Sequence, residues 1–253
     1  MLLAIDTSTA QIGLALYDGA NIPGELVWQS RAHHTEQLAP ALAGLLERVG
    51  VGMDSVEALG VAIGPGSFTS LRVGLAFVKG LALARHIPLI GIPTLDIVAA
   101  SVPLSDPYPS GRRSTGLRQA FGVSAQANAQ PNGSGHHRKL AAVLQAGRGR
   151  LAVGWYKPTG NGWQAEGAAT TTTAEELEKK IRTPVIICGE LTAEERLCLA
   201  RKFKNVMLAS PAQCVRRPGV LAEIAWIRWQ AGKTDEAASL APVYLHVAGG
   251  LPA

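Results

Sequence analysis

The chain has 253 residues, a formal net charge of +5, 47% hydrophobic and 5% aromatic residues, so its core must be built from Leu, Ala, Val and Ile rather than rings. That length can hide about 70–75% of the unfolded surface in one large domain or two lobes. Composition argues against a membrane span, a secretory leader and a disulfide or zinc frame. The longest apolar run, Val73 to Ala84, carries Lys79 and falls short of the roughly 20 residues a span requires. Asp6 interrupts an apolar start that lacks basic residues. Cys188, Cys198 and Cys214 stand far apart without a Cys-x-x-Cys, as reduced thiols of a cytoplasmic protein.

Leu2 to Ile5 is an apolar strand that runs into Asp6. Thr7 to Gln11 make a turn, and Ile12 to Tyr17 and Glu25 to Gln29 are two further strands. An acid at the end of a buried strand, followed by Thr7, Ser8 and Thr9, can hold a metal ion and a phosphate. The same residues can equally form an Asx or Ser/Thr turn that closes a hairpin. An amphipathic helix follows from Thr35 to Val49, with Leu38, Leu42, Leu45, Leu46 and Val49 at three- and four-residue spacing. Thr35 can cap it, Gly50 can end it, and Pro40 sits just past its first turn.

Ala58 to Ile63 is a buried strand. Gly64-Pro65-Gly66-Ser67-Phe68-Thr69 then opens a helix that reaches His86. The glycines permit unusual backbone angles, Ser67 can cap the helix, and free amides at a helix start attract anions. Asp6, Ser8, Gly64, Gly66 and Ser67 are therefore the candidate anion or nucleotide cleft. No Gly-Lys-Ser/Thr follows, so this is not a Walker A loop. The helix itself is apolar nearly all round, interrupted only by Arg72, Lys79 and Arg85. Such a helix is buried either by its own lobe or by a second chain, and the second chain is the favoured reading. Leu89 to Ile92 is a further strand, and a short helix begins at Thr94.

Residues 105–139 are rich in Ser, Gly, Asn, Gln, Pro and Arg, a composition that cannot bury enough surface to fold by itself. Arg112, Arg113, Arg118, Arg138 and Lys139 against Asp106 give this segment +4 and leave +1 for the rest, 19 basic residues against 18 acidic. It is a solvated linker or a basic tether for a polyanion, the linker being the plainer reading. Beyond it the opening pattern recurs. Leu140–Leu144, Leu151–Tyr156 and Gly162–Glu166 are strands, and Thr173–Ile181 is a helix with a Thr173/Glu176 capping box. Val185–Cys188, Thr192–Lys202, Val206–Ala209 and Val220–Ala231 alternate strand and helix. The whole is an α/β chain of two lobes, each a mixed sheet of three antiparallel strands then parallel ones with flanking helices, an order that resembles the actin-like, ribonuclease-H-like folds. The expected divisions are 1–104, the linker 105–139, and 140–253.

Leu3-Ala4-Ile5-Asp6-Thr7-Ser8, His34-Thr35 with Leu38 and Pro40, Gly64 to Thr69 with Leu71-Arg72-Val73-Gly74, and Pro88 to Ile92 closely resemble the TsaB (YeaZ) family of the TsaD-like, actin-fold (ASKHA) superfamily. Pro242-Val243-Tyr244-Leu245 is similar to its closing Pro-x-Tyr motif. The resemblance implies a non-catalytic partner, a dimerisation or scaffold subunit, of the complex that makes N6-threonylcarbamoyladenosine in tRNA, beside the anticodon. It implies a TsaD-type catalytic subunit and a TsaE-type ATPase as partners, a homodimer when alone, tRNA met through the complex, and no membrane. It implies no intrinsic cofactor or metal, with ATP or ADP entering only through the assembly. The partner face is expected on the two first-lobe helices, through His34, Thr35, Leu38, Leu42, Leu45, Leu71, Arg72, Leu75, Val78, Lys79 and Ala82.

The sequence departs from the family where Gln145-Ala146-Gly147-Arg148 replaces an Asp-Ala-Arg segment with a nearby Glu, and where Ser70 replaces a common Gly. Two rival readings are an actin-fold small-molecule kinase or nucleotide-binding protein, and a metallopeptidase. The kinase would need an acid where Gln145 stands to hold a metal on the phosphates. The peptidase would need a ligand cluster, yet His33 and His34 are followed by Gln37 and Leu38, without His-x-x-x-His.

Overall fold

The computed structural model describes residues 1–30, 34–104, 138–160 and 162–245. The expected linker therefore lies outside the described residues, apart from Arg138 and Lys139. The first sheet joins β1 (Leu2–Asp6), β2 (Gln11–Tyr17), β3 (Gly24–Gln29), β4 (Ala58–Ala62) and β5 (Leu89–Ile92) in the order β3-β2-β1-β4-β5. β1 runs antiparallel to β2, with Ala4 opposite Ala15, and parallel to β4, with Ala4 opposite Gly60. The second sheet uses β6 (Lys139–Gln145), β7 (Leu151–Thr159), β8 (Gly162–Ala165), β10 (Val185–Gly189) and β11 (Val206–Leu208). Its order, β8-β7-β6-β10-β11, is that of the first sheet. The duplicated unit read from the alternation of strands and helices is thus present twice, with Gln145 ending β6 where Asp6 ends β1.

One strand was not legible. β9 (Thr170–Thr172) pairs with the first residues of β7, Leu151 to Val153, while β8 takes the last ones. A run of threonines has no apolar alternation to announce a strand, although β-branched side chains suit one.

The helices are α1 (His34–Val49), α2 (Phe68–Arg85), α3 (Thr94–Ala100), α4 (Ala174–Lys180), α5 (Ala193–Ala200) and α6 (Pro218–Gln230). The capping box of α4 is formed by Thr173 and Glu176, and Thr192 and Glu195 repeat it at α5. α6 starts two residues earlier than expected because Pro218 is its first residue, where a missing amide hydrogen costs nothing.

Two helices cross over between the halves of the chain. α6 follows the second sheet in sequence but packs on the first: Leu221, Ala222 and Ala225 join Leu2, Ala4, Ala15, Ala58, Ala62 and Ile90 in one buried cluster. α3 follows the first sheet and packs on the second, its Leu95, Val98 and Ala99 meeting Leu140, Ala142, Leu144, Ala152 and Tyr156. After α6 the chain returns along β5, where the Asp235 amide donates to Leu89 O and the Asp235 carboxylate accepts from the Gly91 amide. This covers the edge that β5 would otherwise present.

Because each sheet borrows a helix from the other half, the two should unfold together. Leu221→Ala, at a fully buried position of α6, is expected to cost about 2–5 kcal/mol. Urea melts followed by far-UV circular dichroism and by tryptophan fluorescence should still show one coincident transition, since Trp226 and Trp229 report on the first sheet and Trp155 and Trp163 on the second.

Candidate functional site

The cleft between the sheets is where the candidate residues meet. Asp6 ends β1 at 1% exposure, and its Oδ1 accepts the Ser8 amide at 2.8 Å, which is an Asx turn. The other oxygen, Oδ2, accepts from Nε of Arg216 at 2.5 Å. Arg216, also 1% exposed, comes from the segment just before α6 and was not singled out in the sequence. Its Nη1 donates to Glu190 Oε1 (2.6 Å), and its Nη2 to Thr9 Oγ1 (3.1 Å) and the Gln11 carbonyl (3.3 Å). Thr9 Oγ1 in turn donates to Glu190, and Gln11 Nε2 donates to the Arg216 carbonyl. Burial works against the guanidinium charge, but Asp6 and Glu190 more than offset it and hold Arg216 protonated, its pKa above the ordinary value.

A divalent cation at this point would need Asp6 as a ligand, and both of its oxygens are already engaged, one by a fixed positive charge. The donor set does not fit a metal-nucleotide site. Across the cleft Gln145 takes the place of a second acid, and its Nε2 donates to Glu195 Oε2 at 2.7 Å.

The Gly64–Thr69 segment is tied down in the same way. The Ser67 amide, one of those expected to be free for an anion, donates to the Ser8 carbonyl at 2.7 Å. A Cβ on Gly66 would lie 2.1 Å from that carbonyl oxygen, so only glycine lets the loop come this close. Gly64 has φ +106°, and a Cβ there would meet the Val243 carbonyl at 2.5 Å. Ser8 Oγ and the Gly64 amide both bond Thr94 Oγ1. Ser67 holds the N-cap position of α2, yet its hydroxyl bonds Ser70 Oγ rather than a helix amide. The expected cap is thereby corrected: Ser70 competes for the hydroxyl. Beside these residues is an open hollow of about 430 Å³, lined among others by Thr9, Ser30, His34, Ser67, Gln145 and Glu190.

The expected partner face is redistributed by the structure. Leu38, Leu42, Leu45, Leu75, Val78 and Ala82 form the first-lobe core with Leu3, Ile5, Leu14 and Leu59, and Leu71 is equally buried. They lie beneath the helices rather than on them, so a charge placed at Leu42 or Val78 would disrupt the core itself. His34 is buried, with Nε2 3.1 Å from the Thr9 carbonyl, while Thr35 is exposed. Arg72 sits 3.6 Å over the Phe68 ring and donates to Tyr244 Oη, and Lys79 Nζ donates to the Ala238 carbonyl at 3.4 Å. Both cations therefore hold the returning C-terminal segment. The outward face of α2 carries Phe68 (53% exposed), Ala76, Gly80 and Leu83 (65% exposed), with the exposed Arg72 among them and Arg85 at its end. Among the described residues, one side of the apolar helix is covered by its own lobe and the other is exposed.

A signal for Arg216 does exist in the sequence. Arg216-Arg217 directly precedes a helix start, where the macrodipole disfavours cations unless acids accompany them. Arg217 pairs with Glu25 of β3, whose Oε1 also accepts the Gly219 amide. The partners stand far away in sequence, so the signal says that acids are needed without saying which.

With this geometry in place, the comparisons with known proteins can be read. The family model described as "TsaD: tRNA N6-adenosine threonylcarbamoyltransferase" matches residues 28–219. The tRNA threonylcarbamoyladenosine biosynthesis protein TsaB of Escherichia coli is 29% identical over 168 residues, 65% of this chain and 72% of that one. The TsaB of Bacillus subtilis is 26% identical over 98% of this chain and 94% of that one. The solved structure of YeaZ from Pseudomonas aeruginosa superposes with a TM-score of 0.67 at 21% identity, covering 96% of this chain and 99% of that one.

Removing the guanidinium alone would strand the buried Asp6 carboxylate and the half-buried Glu190. Arg216→Met should cost about 3–5 kcal/mol in urea denaturation, whereas the triple change Asp6→Asn, Glu190→Gln, Arg216→Met should recover most of that loss.

Proposed function

The chain belongs to the TsaB branch of the TsaD-type, actin-fold family, and on that premise we propose that it is a non-catalytic partner subunit in the synthesis of N6-threonylcarbamoyladenosine in tRNA. It supports a TsaD-type enzyme that carries out the transfer. The observation that carries this reading is the Asp6–Arg216–Glu190 network: the carboxylate that would hold a metal and phosphate in an active relative is bound to an arginine of its own chain. The protein accordingly takes no cofactor of its own, and ATP or ADP is met only through the assembled complex, which also contains a TsaE-type ATPase and acts in the cytoplasm. The tight seating of Ser67 on Ser8 argues further against a phosphate loop at Gly64–Thr69.

The outward strip of α2 supplies the docking surface. Phe68 and Leu83 stand exposed near its two ends, and among the described residues no atom beyond the helix's own backbone lies within 4 Å of where a Gly80 Cβ would project. A second helix can therefore approach closely there. The same strip serves a second copy of the chain when the partner is absent. Among the described residues no helix is long and apolar enough to cross a membrane.

The test is co-expression with the TsaD-type protein of the same organism, followed by size exclusion and assay of modified tRNA. Ala76→Arg and Leu83→Glu should each abolish co-elution while moving stability by no more than about 0.5 kcal/mol, as expected for surface changes. Co-elution that survives both would place the interface elsewhere. Transfer of phosphoryl from ATP to a small acceptor by the isolated chain in the presence of magnesium would favour the kinase reading instead.

A further inference from the structure

The three cysteines are not equivalent. Cys198 is buried in α5 within the second-lobe core. Cys188, on β10, and Cys214, half-buried in the loop between β11 and α6, bring their sulfurs to 3.9 Å. Arg196 of α5 points Nη1 at Cys214 Sγ from 3.9 Å, and its Nη2 donates to the Ala209 carbonyl at the start of that loop. The Cys188 thiol, donating to Cys214, lowers the pKa of Cys214 against the effect of burial, with the Gly189 amide and Arg196 adding to it. The same pairing, together with burial, raises that of Cys188. Only half-buried and with Arg196 beside it, Cys214 is the more readily ionised sulfur of the pair and the buried Cys188 the less, the division of labour a redox pair requires.

We infer that Cys188 and Cys214 are a redox-modifiable dithiol that reacts with a hydroperoxide, Cys214 as the attacking sulfur and Cys188 as the resolving one. The Cys214 thiolate attacks a peroxide oxygen, the O–O bond breaks, and Cys214 becomes a sulfenic acid as hydroxide or alkoxide leaves and takes up a proton. The Cys188 sulfur, giving up its proton, then displaces that oxygen as water and closes the disulfide. Two electrons pass from the two thiols to the peroxide. The sulfurs must approach by roughly 2 Å to reach bonding distance, and Cys214 lies in a loop rather than a strand, so the loop can yield. The bond would sit at a sensitive place. Cys188 is two residues before Glu190 and Cys214 two before Arg216, so oxidation fastens together the two segments that supply the buried ion pair.

The experiment is peroxide treatment of the reduced full-length protein, followed by peptide mapping without reductant. A Cys188–Cys214 linked peptide should appear while Cys198 stays open to alkylation. Before oxidation, iodoacetamide at pH 7 should label Cys214 about three- to tenfold faster than either other cysteine, and Arg196→Ala should narrow that gap. In Cys188→Ser, dimedone should trap a sulfenic acid at Cys214. Oxidation should raise the melting temperature of the wild type and not that of Cys188→Ser. Three thiols surviving peroxide, a linkage through Cys198, or a bond only between chains would overturn the dithiol. An unchanged melting temperature with the linkage present would overturn the fastening.

Discussion

A buried guanidinium between two carboxylates organises this molecule. Removing Arg216, Asp6 and Glu190 from water is costly, and their attraction offsets that cost only because further hydrogen bonds from Ser8, to Thr9 and to the Gln11 carbonyl complete the shell. Each contact fixes something larger. Asp6 and the 7–11 turn belong to the first sheet, Glu190 follows the central strand pair of the second, and Arg216 leads into the helix that lies on the first sheet. One ion-pair network therefore sets the width of the cleft, the entry of α6 and the seat of the loop on which α2 begins.

That network works alongside the exchanged helices. α6 buries Leu221, Ala222 and Ala225 on the first sheet, and α3 buries Leu95, Val98 and Ala99 on the second. Separating the lobes would strip both apolar contacts and pull Arg216 from Asp6 at once. The C-terminal return adds a third tie, since the Val243 amide donates to Ile63 O while Tyr244 packs on Phe68 with ring centroids 5.1 Å apart. In a kinase of related architecture the cleft is the part that closes on substrate. Here the same space is bridged by the side chains of Arg216, Glu190 and Thr9.

Much of the fold was legible because its signals are local. The apolar runs Leu2–Ile5 and Ala58–Ala62 read as strands, and Thr173 with Glu176 marked a helix start that the structure reproduces as a complete capping box. The repeat of strand and helix order told of two similar sheets. What stayed hidden is non-local. Periodicity says that one face of α6 is buried, not which sheet buries it. Arg216 meets Asp6 across 210 residues, and no pattern within a window connects them. α2 was misleading for another reason: with Leu75 and Val78 inside, and Phe68, Ala76 and Leu83 outside beside Arg72 and Arg85, apolar side chains stand on both of its faces. Hydrophobicity alone could not tell the core-facing side chains from the outward ones.

The placement of Gly64–Thr69 follows from the same constraint. A glycine-rich turn that opens a helix is generic anion chemistry when its amides are free and an acid nearby can hold a metal. Here the Ser8 carbonyl takes the first amide, Gly66 admits that carbonyl, Thr94 ties Gly64 to Ser8, and the acid is bound by arginine. The backbone geometry of a phosphate loop survives as a close-packed joint. The joint aims α2, and through it the strip from Phe68 to Leu83, at a fixed angle to both sheets. Fixing a helix before a partner arrives lowers the ordering cost of association, so under the proposed scaffold role the contacts that engage Asp6 and seat Ser67 on Ser8 also hold the exposed face of α2 ready for docking.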